Sequence, residues 1–162
     1  MDPIDVILDQ WRRERPDLDL TPMGVAGRIA VLARVLEGRA EKSFAGHGLR
    51  QGEFDVLSAL RRSGPPYTLI PSELSATLMM SRAGMTNRLD RLEAAGLVER
   101  TLDQADRRSF RITLTPAGHE VIDAAMTNHA TNLAKLTEAL TEEERTATAE
   151  SLRKLLVTLL ED

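Results

Sequence analysis

The stretch from residue 71 to residue 114 constrains the fold of this chain more than any other feature. It divides into a short helix, a tight turn, a longer helix and two strand-like runs, at residues 71–78, 79–81, 82–95, 97–102 and 109–114. Ser81 is placed to cap the longer helix, and Gly96 follows its last turn, where glycine commonly ends a helix. The residues between the two strands are mostly polar and charged. This order predicts a helix-turn-helix followed by a β-hairpin wing.

The rest of the chain has a helical pattern. Aromatic residues make up only 3% of the 162 residues, so the core must be built from aliphatic side chains, which favours packed helices over a β-sandwich. Apolar periodicity and helix-start signals predict further helices at residues 4–13, 21–44 and 53–62, and others that begin at Thr115 and Thr141. Thr21 and Thr115 are predicted N-caps followed by proline, and Thr141 with Glu144 forms a capping box.

The last predicted helix carries an apolar face that is too broad for a helix that merely rests on a small lobe. This face consists of Leu152, Leu155, Leu156, Leu159 and Leu160. A second copy of the chain is the simplest cover for it, so we expect a homodimer. The predicted fold class is mostly α with a small β-hairpin wing, in which the N- and C-terminal helices build a helical dimerisation lobe.

The residue inventory argues against an enzyme. The chain has no Cys, and its three histidines, His47, His119 and His129, do not have the spacing of metal ligands. It also shows no glycine-rich phosphate loop and no nucleophile motif. We therefore predict a protein without catalysis, metal or cofactor. The acidic start of the chain and the lack of an apolar run of about 20 residues predict a cytoplasmic protein that does not contact the membrane.

The net charge of −4 is unexpected for a protein that binds nucleic acid, but the two signs are segregated along the chain. Residues 81–111 contain seven basic and five acidic side chains. The acidic excess lies elsewhere, notably at Glu142, Glu143 and Glu144. The local basic bias of the predicted helix-turn-helix and wing is typical of a DNA-binding segment.

Short motifs lie in a fixed order along more than a third of the chain. They are EFDVL at 53–57, PSEL at 71–74, SRAGMTNRLDRLE at 81–93, GLV at 96–98, and DRR at 106–108 with Leu114 and Thr115 after it. Together they resemble the MarR family of bacterial transcription regulators, with Ile70 standing where the family often has a capping threonine. The resemblance implies a single MarR-type domain over residues 1–162. In it, residues 49–114 form the winged helix-turn-helix, and residues 1–48 and 115–162 form the dimerisation lobe.

The helix at 82–95 is the expected DNA-reading element. With about 100° per residue, Met85, Leu89 and Leu92 fall on one side and must face the core. The opposite side is polar or small, which suits the major groove, where Asn can hydrogen-bond adenine and a Thr methyl can touch thymine. We expect base contacts from Ala83, Thr86, Asn87 and Arg91, and phosphate contacts from Ser81 and Arg82.

In the wing, we expect Arg108 to enter the minor groove, where the negative channel of A·T-rich DNA attracts a guanidinium. Asp106 would hold that side chain in position, and the MarR resemblance implies both roles. Arg107 is expected at a phosphate. The competing interpretation is that residues 106–108 form only a soluble turn. Twofold symmetry of a dimer predicts a pseudo-palindromic duplex operator with half-sites about one helical turn apart.

Two arginines are expected to lean inward behind the reading helix. Strand alternation places Arg100 on the face of Val98 and Leu102, and Arg88 lies at the edge of the buried side of its helix. Asp55 is a candidate partner, because buried arginines require one. Together with Trp11 in an extra N-terminal helix, these residues resemble the ligand site of the urate-responsive branch of the MarR family. The resemblance implies that urate or a related purine is the effector, bound by Trp11, Asp55, Arg88 and Arg100.

Alternatives remain at this point. Arg88 and Asp55 can equally form a structural ion pair, with Trp11 helping to cover the core. The regulator, expected to be a repressor, can respond to a different phenolic or aromatic acid. A winged helix can also serve only as a protein-interaction module without binding DNA, because fold does not dictate function.

Overall fold

The computed structural model describes residues 1–79, 81–103 and 110–161, without the side chains of Arg82 and Glu161. The chain divides into two compact units, Met1–Gly52 and Glu53–Asp162. The described residues form seven helices and three strands in the following order: α1 Pro3–Glu14, α2 Thr21–Ala45, α3 Gln51–Arg62, β1 Thr68–Leu69, α4 Pro71–Thr77, α5 Arg82–Ala94, β2 Val98–Leu102, β3 Phe110–Leu114, α6 Pro116–Leu136 and α7 Glu142–Glu161. The predicted class, mostly α with a small winged sheet, is confirmed.

Helix α1 begins with a complete capping box. The Asp2 carboxylate accepts the backbone N–H groups of Ile4 and Asp5, and the Asp5 carboxylate accepts the N–H of Asp2 at 2.9 Å. The Arg28 guanidinium of α2 binds both carboxylates, through Nε to Asp2 at 2.9 Å and through Nη2 to Asp5 at 2.5 Å. These contacts fasten the start of α1 to α2.

The first unit has a small apolar core and one cap that differs from expectation. Ile4, Leu8 and Leu20 form the buried cluster, with Val31 packed against it. The predicted N-cap at Thr21 is wrong by one residue, since Thr21 is already helical and Leu20 occupies the cap position without a side-chain bond. The Asp19 carboxylate instead accepts the N–H of Thr21 at 3.0 Å. The carboxylate of a residue two positions earlier thus provides the acceptor for the first backbone N–H of α2.

The second unit contains the predicted helix-turn-helix. Helix α4 begins at Pro71, where Ile70 offers no acceptor but the Glu73 carboxylate still takes the Ile70 N–H at 2.9 Å. Helix α4 ends at Thr77, and Met79 takes a left-handed conformation (φ 49°) on the way to α5. Ser81 is the N-cap of α5, and its hydroxyl accepts the Gly84 N–H at 3.2 Å. The predicted start of the reading helix is therefore confirmed.

The sheet has one strand more than the hairpin that the sequence predicts. Its order is β1-β3-β2, with antiparallel pairing throughout. The β2 and β3 strands pair from Val98 opposite Leu114 to Leu102 opposite Phe110, and β1 adds Thr68 opposite Thr113. The hydroxyls of these two threonines lie 2.9 Å apart, which strengthens the added strand.

The core of the second unit lies beneath α5 and the sheet. Met85, Leu89 and Leu92 are buried, as the helical spacing predicts. Other large side chains of this unit that are fully buried come from α3, α4, the sheet and α6: Val56, Leu57, Leu60, Leu74, Ile112 and Ile122. Helix α5 is thus fixed from its apolar side, which leaves its other side to solvent.

Helix α6 begins at a tight joint with the end of the reading helix. Its N-cap Thr115 accepts the Gly118 N–H at 3.0 Å and donates its hydroxyl to the Gly96 carbonyl at 2.7 Å. The Thr115 N–H also donates to the Leu97 carbonyl at 3.1 Å. Gly96 has φ +69°, which favours glycine in this position. The two ends are therefore held together by both backbone and side chain.

Helix α7 starts with the predicted capping box, in which Thr141 and Glu144 exchange bonds of 2.8 and 3.2 Å. Its apolar residues remain uncovered in the single chain, and Leu159 and Leu160 are more than 70% exposed. None of the described helices is long and apolar enough to cross a membrane.

Candidate nucleic-acid interface

The polar side of α5 is exposed along two turns. Ala83, Thr86 and Asn87 are all exposed, and Ser81 stands exposed at the helix start. These residues are small or carry a neutral hydrogen-bonding group. An α-helix with such a surface can enter the major groove and approach base edges closely.

Arg91, the fourth predicted base contact, has a partner within the protein. Its Nε donates to Glu53 Oε1 of α3 at 2.5 Å, and the Glu53 side chain is only 8% exposed. This charged pair ties the last turn of α5 to α3 across 38 positions of sequence. The contact uses Nε, so only the Nη groups of Arg91 remain for a second interaction.

Arg100 turns back onto the reading helix from strand β2. Its Nη2 lies 2.5 Å from Asp90 Oδ1, its Nε lies 3.2 Å from Glu93 Oε2, and the side chain is 22% exposed. The Nε contact is close enough for an ion pair but is not aligned as a hydrogen bond, so this buried nitrogen has no hydrogen-bond partner among the described residues. The sequence indicated the inward lean of Arg100 but not these two carboxylates.

The other residues of the predicted ligand set belong to different parts of the chain. Asp55 on α3 and Arg88 on α5 are both half-buried in the second unit. Trp11 belongs to α1 in the first unit and is 45% exposed. Arg88 and Arg100 belong to two consecutive elements of the second unit, α5 and β2.

The base of the wing carries one further ion pair. Arg111 Nε of β3 lies 3.1 Å from Asp103 Oδ2, and Asp103 is buried. The predicted wing contacts Asp106, Arg107 and Arg108 lie outside the described residues, as does the side chain of Arg82. Among residues 1–79, 81–103 and 110–161, no group of three His, Cys, Asp or Glu side chains could hold a metal ion.

A helix with an exposed polar face, preceded by a short helix and followed by the two wing strands of a three-stranded sheet, defines a winged helix-turn-helix protein. The family model described as the MarR family matches residues 47–109. The chain is 40% identical over 140 residues to the HTH-type transcriptional regulator PecS of Dickeya dadantii. The aligned residues cover 86% of this chain and 84% of PecS. It is 33% identical to the transcriptional repressor MprA of Escherichia coli, over 76% of this chain and 69% of MprA.

Among solved structures, a cysteine-to-serine mutant of E. coli MarR in complex with operator DNA superposes with a TM-score of 0.71 and 25% identity, over 85% of this chain and 95% of that one. The chain belongs to the MarR family. It is a DNA-binding transcriptional regulator and not an enzyme.

Proposed function

We propose that this protein is a homodimeric repressor that reads a pseudo-palindromic duplex operator through α5 and the wing. We further propose that a small anionic aromatic ligand such as urate, or a related purine, releases it from DNA. The observation that carries the DNA-binding part is the exposed polar face of α5, on a helix whose apolar side is buried.

The proposed DNA contacts follow from this face. Thr86 and Asn87 contact base edges, Ala83 allows close approach, and Arg91 uses the Nη groups that its contact with Glu53 leaves over. Ser81 and Arg82 bind phosphates at the start of the helix. In the wing, Arg108 enters the minor groove, Asp106 positions it, and Arg107 binds a phosphate.

The proposed dimer explains the uncovered apolar residues. On α7 the five C-terminal apolar side chains from Leu155 to Leu160 are 44% to 73% exposed, and on α2 Val25 and Leu32 are more than half exposed. A soluble protein rarely leaves such surfaces in water. We assign dimer contacts to residues 1–48 and 115–162, and the winged helix-turn-helix to residues 49–114.

The proposed effector site uses Arg88 and Arg100 as cationic groups, Asp55 as their acidic neighbour and Trp11 as an aromatic surface. Urate is a flat anion near neutral pH, and a guanidinium fork can pair with it while an indole packs beside it. The buried Arg100 Nε supports this assignment, because it is a donor without a hydrogen-bond partner in the described part of the chain. A ligand that binds Arg88 acts directly on the reading helix, because Arg88 belongs to α5.

DNA binding is tested by fluorescence anisotropy on the promoter region of the protein's own gene at two salt concentrations. We expect Asn87→Ala to lower the affinity for DNA. We expect Arg108→Ala to lower it as well and to make its salt dependence shallower, because fewer counterions leave the DNA when one arginine fewer neutralises its phosphates. Arg13→Ala removes the same charge from an exposed site on α1 and serves as the matched control. Unchanged affinity of Arg108→Ala at both salt concentrations would reject the wing assignment.

Effector binding is tested by isothermal titration of urate and xanthine into the wild type and Arg88→Ala. We expect binding heat for the wild type, a large loss in Arg88→Ala, and a change in the fluorescence of Trp11, the only tryptophan of the chain. The coupling to DNA release should be about 1–3 kcal/mol. Absence of heat with the wild type would end the urate proposal, and titration of phenolic acids such as salicylate would then test the other effector class.

A further inference from the structure

The reading helix carries two acidic side chains close to its proposed DNA surface. Asp90 follows Thr86 by four residues and Asn87 by three, so these side chains share one side of α5. The Asp90 side chain is 55% exposed, and Glu93, one turn further on, is 43% exposed. A carboxylate at this position faces the negative field of the phosphates when the helix lies in the groove, and it opposes binding.

Arg100 is placed to cancel this repulsion. It reaches from β2 to both carboxylates, and strand alternation together with its low exposure keeps it against α5 rather than in solvent. Arg91, which belongs to α5 itself, is paired with Glu53 on α3 and not with Asp90 or Glu93. Arg100 is therefore placed to neutralise the two carboxylates near the end of the reading helix.

We propose that Arg100 is a positioning residue that sets operator affinity by neutralising Asp90 and Glu93, without itself contacting DNA. The inference rests on the proposed placement of α5 in the major groove. Repulsion between unit charges a few ångström apart near a protein surface is large enough to change affinity by about tenfold. Loss of Arg100 should therefore weaken DNA binding although no DNA contact is removed.

The experiment is a mutant cycle measured by operator anisotropy in the absence of any effector. It compares the wild type, Arg100→Gln, the pair Asp90→Asn with Glu93→Gln, and the variant that combines all three changes. We expect Arg100→Gln to bind about tenfold more weakly and the carboxylate pair to bind at least as tightly as the wild type. The combined variant should recover to within about twofold of the carboxylate pair.

A combined variant as weak as Arg100→Gln would overturn the proposal, because Arg100 would then act by touching DNA or by holding the fold. Wild-type affinity of Arg100→Gln would overturn it as well. Circular dichroism and thermal unfolding check each variant, and Arg100→Lys, which keeps the charge without the planar fork, should retain most of the affinity. Unchanged binding of Asn87→Ala would instead reject the placement of α5, so the two failures are distinguishable.

Discussion

Replacing Gly118 by alanine should destabilise the protein strongly, because the joint between α6 and the reading helix has no room for a methyl group. A Cβ at this position would lie 2.8 Å from Leu114 Cδ1 and 3.0 Å from the carbonyl carbon of Leu97, and closer still to the Leu97 carbonyl oxygen. The leucine side chain can move, but the Leu97 backbone is held by the Thr115 N–H at 3.1 Å. The clash must therefore be relieved by moving the joint itself.

The magnitude follows from the contacts that the movement would break. Overpacking of this kind costs about 1–3 kcal/mol. Loss of the two bonds from Thr115 to Gly96 and Leu97 adds about 1 kcal/mol each, and the better helix propensity of alanine returns about 1 kcal/mol. We expect a net loss of about 3 kcal/mol in the free energy of unfolding. For a chain of this size that lowers Tm by about 6–12 °C.

Urea unfolding followed by circular dichroism measures this loss, at one fixed protomer concentration because dimer stability depends on it. Gly38→Ala is the matched control: this glycine lies in α2, is exposed, and would place its Cβ with nothing within 4 Å. Gly38→Ala should raise the free energy of unfolding by about 0.5–1 kcal/mol through helix propensity alone. If Gly118→Ala stays within about 1 kcal/mol of the wild type, the reasoning about the joint is refuted.

Two further predictions concern single side chains. Ser58→Ala should raise the free energy of unfolding by about 1 kcal/mol, because the buried Ser58 Oγ has no hydrogen-bond partner among the described residues. Ser63→Ala is the contrasting variant and should lower the free energy of unfolding by about 1 kcal/mol, because Ser63 Oγ donates a hydrogen bond to the Leu60 carbonyl at 2.7 Å. The pKa of Asp5 is held below its ordinary 3.8, first by the hydrogen bond from the Asp2 N–H and then by the Arg28 guanidinium. The ionised Asp5 carboxylate therefore stabilises the packing of α1 above pH 3.8, and this stabilisation is lost as the pH falls below that value and the carboxylate is protonated. Trp11 fluorescence across an acid titration measures the change, which should be smaller in Arg28→Met; a titration that is identical in the two proteins would contradict it.

Local signals predicted most of the fold correctly. Proline, glycine and cap residues fix helix ends through backbone chemistry that acts over a few positions, as at Ser81 and Thr115. Helical spacing likewise gave the buried side of α5, because a period of 3.6 residues leaves little choice once three apolar residues align. The strand β1 was missed because two residues after a pair of prolines are too short to show alternation.

The ion pairs around α5 could not be predicted from the sequence. Glu53 and Arg91 are 38 positions apart, and nothing in the spacing of either residue indicates the other. For Arg100, alternation gave the direction of the side chain, but its partners depend on how β2 packs against α5. Periodicity states which face a residue occupies, whereas the identity of its neighbour across an interface is a tertiary property.

These pairs explain how a helix with several charges can present a largely neutral reading surface. Arg91 is fixed to α3, Asp90 and Glu93 are fixed to β2, and the end of the helix is bound to the start of α6 through Gly96. These ion pairs therefore hold the orientation of the helix, whose small neutral side chains Ala83, Thr86 and Asn87 are exposed. Because the anchors belong to three different elements, a ligand that displaces any one of them changes the orientation of α5 relative to the other two. We therefore expect a ligand bound at the proposed site to act on α5 directly, because Arg100 is one of these anchors.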